Sequence, residues 1–200
     1  TNSADSKNEY YTTDSVGTVN GPVRIDTDGK LSIVNGDWVA NDSITLQGSG
    51  ALSVGGQNTD PGKLATNNPS LPDATLVVGT TLNIADAASA ATTITVTGNT
   101  TDNAAYKYEQ AQNTLGDDGL SLLDLTAGLE MVDDQGQSKN GAFAGKTTIK
   151  AESGGVIILN GSDVSEILAA NNATVNGTNT ANDSGAFFEA TSGGALIFAN

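Results

Sequence analysis

At 200 residues and 37 % apolar content the chain is long enough for one or two domains with a core, but one Trp, four Tyr and four Phe leave that core thin and aliphatic. Eight Lys plus Arg against 23 Asp plus Glu give a formal net charge of −15, which repels nucleic acid and anionic lipid head groups, and the single arginine, Arg24, excludes guanidinium clusters for phosphate or carboxylate. With no His and no Cys, a Ser-His-Asp triad, a His-ligated or thiolate zinc site, a thiolate nucleophile and disulfides are excluded within the chain.

In chain order, Thr1 to Asn20 reads as a polar N-terminal arm whose only bulky side chains are Tyr10 and Tyr11, with Val16 to Val19 beginning the ordered part. From Gly21 a regular pattern sets in. Val23 and Ile25 lead to the turn Thr27-Asp28-Gly29-Lys30, then to Leu31 through Val34, and the turn Asn35-Gly36-Asp37 precedes Trp38 and Val39. Ser43 to Leu46, Gln47-Gly48-Ser49-Gly50 and Ala51 to Val54 continue it, a strand about every ten residues. The clearest unit is Ala151-Glu152-Ser153-Gly154-Gly155-Val156-Ile157-Ile158-Leu159-Asn160, which returns as Ala190-Thr191-Ser192-Gly193-Gly194-Ala195-Leu196-Ile197-Phe198-Ala199-Asn200. In each copy Ser-Gly-Gly supplies backbone with φ > 0, and the apolar residues behind it suit a buried strand.

Turn residues ahead of Leu31, Leu52, Thr75 and Thr93 are spaced by 21, 23 and 18, and those ahead of Val156, Thr174 and Ala195 by 18 and 21. Such lengths predict the stacked coils of an all-β parallel β-helix (β-solenoid) over residues 21–200, with roughly eight or nine coils making a rod roughly 40 Å long. In this reading the duplicated unit spans about two coils, with Asn172 to Val175 as one between. A β-sandwich, also made of short alternating strands, is the alternative; the repeated Ser-Gly-Gly grammar and the scarcity of aromatics favour the stack. Two segments depart from the pattern. Residues 57–72 hold three of the four prolines and read as a loop, and residues 101–140 read as an insertion or irregular coils containing a strand-like Leu120 to Leu125. Ser162 to Ala170 reads as a helical turn capped by Ser162 or Asp163, with Ile167 and Leu168 facing inward.

For chemistry, the remaining options are carboxylates. Asp117/Asp118 and Asp133/Asp134 are adjacent pairs whose side chains point to opposite faces in a strand, so each reads as a solvated turn, and Asp124 and Glu130 have no spacing that joins them to a catalytic pair. No catalytic residues are expected. Calcium is the inorganic partner the composition suits best, with Asp26 and Asp28 as candidate ligands and a hairpin-type turn as the alternative for that stretch. Asn41, Asn160 and four other Asn-x-Ser/Thr matches read as turn chemistry, and the threonines of Thr92 to Thr97 as strand propensity. Tyr106 and Tyr108 form the candidate binding pair, their alternative role being to pack the insertion onto the rod.

The Ser-Gly-Gly coils, the acidic Thr/Asn/Gly-rich background and the absence of Cys resemble the passenger regions of bacterial autotransporters and related large secreted adhesins, over Gly21 to Thr100 and Lys146 to Asn200. The resemblance implies a right-handed helix, an extracellular or bacterial cell-surface location, and a piece of a longer passenger. The expected function is a non-enzymatic adhesin segment presenting 57–72 and 101–140 to glycans or proteins of host or sister cells. A self-assembling surface-layer or matrix protein joined through its end strands is the first alternative, and a glycan-active β-helix enzyme the second. No apolar run approaches the roughly 20 residues of a membrane span, so no membrane insertion by this segment is expected, nor any nucleic-acid partner.

Overall fold

Alternating side chains sort the short strands into an inner and an outer set. Along Ala51–Gly55, Leu52 and Val54 are fully buried and the other three half-buried; along Ala91–Thr97, Ile94 and Val96 are fully buried while Thr93 is exposed. The computed structural model of the chain describes residues 9–10, 16–34, 36–55, 74–85, 90–98, 120–133, 135–137, 145–170, 174–175 and 185–200. The first strands are β1 (Glu9–Tyr10), β2 (Val16–Val19), β3 (Val23–Ile25), β4 (Lys30–Ile33), β5 (Gly36–Ala40), β6 (Ile44–Gln47), β7 (Ala51–Gly55), β8 (Ala74–Val78) and β9 (Leu82–Ala85). After them come β10 (Ala91–Thr97), β11 (Ser121–Leu125), β12 (Leu129–Val132), β13 (Lys146–Glu152), β14 (Gly155–Asn160), helix α1 (Gly161–Ala170), β15 (Thr174–Val175), β16 (Gly185–Thr191) and β17 (Ala195–Ala199).

The strands form three sheets. Sheet A runs β1-β4-β7-β10-β13-β16-β15, sheet B runs β17-β14-β11-β8-β5-β2, and sheet C runs β12-β9-β6-β3. From β2 to β13 the chain visits B, C and A in turn, and in the next round α1 takes the place of a sheet C strand. Every described pairing is parallel, so the protein is all-β with parallel sheets, unlike the antiparallel strands of a sandwich. The larger of two apolar clusters lies between the sheets, and the smaller is built on Leu120 and on the outward residues Leu122, Val156, Ile158 and Ala195 of β11, β14 and β17. Leu52, Ile94, Ile149 and Phe188 reach the larger from sheet A, Leu76, Leu123 and Ile157 from sheet B, and Leu46, Ile84 and Leu129 from sheet C. Each such side chain contributes about 1.5–3 kcal/mol on burial, so a thin core suffices when every layer adds its share.

The duplicated unit is one step between neighbouring strands rather than two coils. Ala151 pairs with Ala190, Val156 with Ala195 and Asn160 with Ala199. Its corner also divides labour differently from the expectation. Ser153 and Ser192 themselves take φ of 52° and 50°, followed by Gly154 at 90° and Gly193 at 86°. The second glycine of each pair answers to space: a Cβ on Gly155 would run into the Val96 carbonyl, and one on Gly194 into that of Ala151.

Register re-sorts the other spacings. Leu31 pairs with Leu52 as expected, but Thr75 lies in sheet B beside Asp37, whereas Thr93 pairs with Ala51 in sheet A. The step along sheet A is 21 residues from Ser32 to Ser53, then 42 from Ala51 to Thr93 and 55 from Thr97 to Glu152. The expected eight or nine coils give way to a deepest sheet of seven described strands, because single layers carry long connections. Strand structure also enters both flanking regions. β1 pairs with β4 inside the arm, β2 pairs with β5 over Val16–Val19, where order is expected to begin, and within 101–140 the strands β11 and β12 continue sheets B and C.

Helix α1 forms where expected, with a different cap and face. Asn160 Oδ1 accepts the N–H groups of Ser162 (2.9 Å) and Asp163 (3.4 Å), so Asn160 rather than either of them caps the helix. Val164 and Ile167 are buried and Leu168 is 40 % exposed, which makes the inward stripe an i, i+3 pair. Asp163 Oδ2 accepts the N–H of Leu129 at 2.8 Å, satisfying an edge group of β12 that a further strand would otherwise pair. Sheet B ends differently. Val19 and Phe198 align with the inward Ala40 and Leu159, yet are 36 % and 44 % exposed on the outermost described strands.

Candidate functional site

The borders between the sheets are not alike. From sheet B to sheet C the chain takes three residues every time, at 20–22, 41–43, 79–81 and 126–128. These corners stack on one another: the Asn41 N–H donates to the Val19 carbonyl at 3.0 Å, the Gly79 N–H to that of Ala40 at 2.7 Å, and Asn41 Nδ2 to Asn20 Oδ1 at 2.7 Å. Asn160 Nδ2 extends the series to the Thr126 carbonyl at 3.2 Å. The borders of sheet A vary instead. Chain enters it from sheet C through 26–29, 48–50, 86–90 and 133–145, and leaves it for sheet B through 34–35, 56–73, 98–120 and 153–154.

Register lays out the outer face of sheet A. Ser32, Ser53, Thr95, Lys150 and Glu189 align in one row, and Lys30, Ala51, Thr93, Thr148 and Phe187 in a second. Gly55, Thr97, Glu152 and Thr191 make a third. Within this face Ser53 Oγ donates to Ser32 Oγ at 2.9 Å, Lys150 Nζ pairs with Glu152 Oε2 at 2.6 Å, and Thr97 Oγ1 donates to Glu152 Oε1 at 3.5 Å. Lys146 Nζ lies 5.4 Å from the centroid of the Phe187 ring, a cation–π contact. The threonine run splits by alternation. Thr93, Thr95 and Thr97 face outward, while Thr92 is buried and donates to the Gly48 carbonyl; its inward neighbour Thr147 is fully buried, and among the described residues its hydroxyl has no hydrogen-bond partner.

Asp26 and Asp28 occupy a corner between sheets C and A, not a hairpin. Arg24 Nε donates to Asp26 Oδ1 at 2.6 Å and Ser49 Oγ to Asp28 Oδ1 at 2.6 Å, with Asp28 at φ 62°. The Arg24–Asp26 pair is exposed and adds little stability. Among the described residues no three His, Cys, Asp or Glu gather as a metal-holding group. Described carboxylates of the other candidate set hold turns: Asp133 Oδ1 accepts the N–H groups of Gln135 (2.9 Å) and Gln137 (2.8 Å), and Asp124 Oδ1 accepts from the Thr126 N–H (2.9 Å) and hydroxyl (2.7 Å). Tyr106, Tyr108, Asp117, Asp118 and Asp134 lie outside the described residues. The rows on sheet A were not foreseen, since they exist only once register joins distant strands; the one signal for them was the alternation Thr93-Ile94-Thr95-Val96-Thr97. Among the described residues no helix is long and apolar enough to cross a membrane. In comparison with known proteins the chain matches no family model, no curated protein and no solved structure.

Proposed function

We propose that the chain is a segment of a non-enzymatic cell-surface or secreted adhesin, a right-handed β-solenoid rod whose sheet A side meets glycans or proteins of host or sister cells. The observation that carries this reading is the unequal treatment of the borders. A rod needs only a repeating coil, whereas the connections that enter or leave sheet A run from as short as 34–35 to as long as 98–120, and binding residues on scaffolds are commonly carried on such connections. The cyclic order of the sheets, the uniformly parallel pairing and the shared core support the solenoid, and the strong bias of parallel crossovers supports its right hand. A net charge of −15 keeps such rods soluble and apart. The test is binding of the labelled chain to epithelial cells and to bacteria, alongside a polysaccharide depolymerisation assay. Saturable cell binding without depolymerisation is expected; no binding to either cell type, or depolymerisation, overturns the reading.

A second reading, assembly of rods by strand addition, is favoured by the 44 % exposure of Phe198 at an inward position of β17. Sedimentation that stays monomeric at high concentration removes it.

A further inference from the structure

We infer that the outer face of sheet A over β7, β10 and β13 binds a neutral glycan chain, an assignment that rests on the adhesin reading above. The first ground is charge. The chain carries 23 Asp plus Glu, yet outward on β7, β10 and β13 there is one acid, Glu152, set against Lys146 and Lys150. Two lysines and one glutamate leave this patch close to neutral, while the field of a molecule with net charge −15 opposes an anionic polymer and draws a cationic one to its other surfaces. A neutral partner is what this patch admits and its surroundings do not outbid.

The second ground is hydrogen-bonding capacity. Thr93, Thr95 and Thr148 adjoin one another across β10 and β13, and among the described residues their hydroxyls have no protein partner. Each offers one donor and two acceptor lone pairs. Beside them the Lys150–Glu152 ion pair stands about one-third exposed, at 31 % on each side chain, giving a cationic donor and an anionic acceptor for charge-assisted bonds to polyol hydroxyls. Strands about 4.8 Å apart with outward residues about 7 Å apart along each strand turn these groups into a grid rather than an isolated pair. The third ground is what the floor lacks. β7 and β10 present no aromatic, Arg or large aliphatic side chain outward, so they offer no anchor of the kind that dominates protein–protein interfaces.

Calorimetric titration with cellohexaose, maltohexaose and chitohexaose, against a hyaluronan hexasaccharide as the anionic probe, tests the assignment on the full chain. The double variant Thr93→Val, Thr95→Val keeps β-branched side chains of the same shape and removes only two hydroxyls. A neutral hexasaccharide is expected to bind, and the double variant to weaken it roughly tenfold, with Thr45→Val on the outer face of sheet C unchanged. If the double variant unfolds at lower temperature, Thr148→Val on β13 reads the same loss. Binding of none of the neutral probes, binding of the anionic probe alone, or undiminished binding by the folded variants overturns the assignment. Cell binding that survives in the double variant removes this face while leaving the adhesin reading intact; absence of cell binding by the unaltered chain removes the adhesin reading itself.

Discussion

The corner between sheets B and C and the two borders of sheet A do the same topological task at different lengths. At the B–C corner each layer is tied to the next by backbone bonds, from Val23 N–H to the Ser43 carbonyl (2.9 Å), Ile44 to Thr81 (3.1 Å) and Leu82 to Gly128 (3.0 Å). Space is short as well, since a Cβ on Gly79 would sit 3.1 Å from the Ala40 carbonyl oxygen and one on Gly128 3.2 Å from Thr81 Oγ1. A residue added there breaks bonds in the layer above and the layer below. Beside sheet A the layers are tied as well, from Ala51 N–H to the Gly29 carbonyl (2.9 Å), Lys146 to Ala90 (2.9 Å) and Gly185 to Gly145 (2.9 Å), and by strand pairings of seven residues each between β10, β13 and β16, yet the connections there differ in length. The corner between sheets B and C keeps one length in each of its four occurrences, and the borders of sheet A do not.

The sharpest way to break this contrast is to lengthen each place equally. Four residues inserted between Thr80 and Thr81 are expected to cost about 3 kcal/mol or more in urea unfolding, as several stacked bonds are lost, each worth about 1 kcal/mol. The same four residues between Gly62 and Lys63 are expected to cost under about 0.6 kcal/mol, the entropy of a somewhat longer loop. A tight connection next to sheet A should behave like the constant corner: Gly155→Ala pushes a methyl into the Val96 carbonyl and is expected to cost about 2–3 kcal/mol by the same measurement. At the fifth layer, where a helix replaces the sheet C strand, Asn160→Ala removes both the helix cap and the bond to Thr126 and is expected to cost about 1 kcal/mol. Inside sheet A, Thr147→Val removes a buried hydroxyl without a partner among the described residues and is expected to raise stability by about 1 kcal/mol.

Much of this architecture is legible in the residues. Ser-Gly-Gly followed by an apolar run marks a real strand entry at Gly155 and Ala195, the 21-residue step from Ser32 to Ser53 is a true neighbour distance, and alternation places Leu52, Val54, Ile94 and Val96 inside. What alternation does not encode is sheet membership. β7 and β8 both read as five residues with alternate burial, so counting from Leu52 to Thr75 and on to Thr93 crosses from sheet A to sheet B and back while looking like equal coils. The helix face was misphased for a related reason: Ile167 and Leu168 are adjacent apolar residues, and only Val164, one turn earlier, shows which of the two faces inward. On the site, Asp26 and Asp28 stand out as a doublet in sequence, but Arg24 and the distant Ser49 engage them. The hydroxyl rows of sheet A are spread over β4, β7, β10 and β13, and no local pattern joins them.

The most direct measurement compares cell binding by two altered chains in one flow-cytometry experiment. One carries Thr93→Val and Thr95→Val on the outer face of sheet A and a shortened 57–72 connection between β7 and β8; the other carries Thr45→Val and Thr75→Val on the outer faces of sheets C and B. With both folded by circular dichroism, the first is expected to lose binding and the second to match the unaltered chain. Equal binding by the two, or loss confined to the second, contradicts the assignment of function to sheet A and its borders.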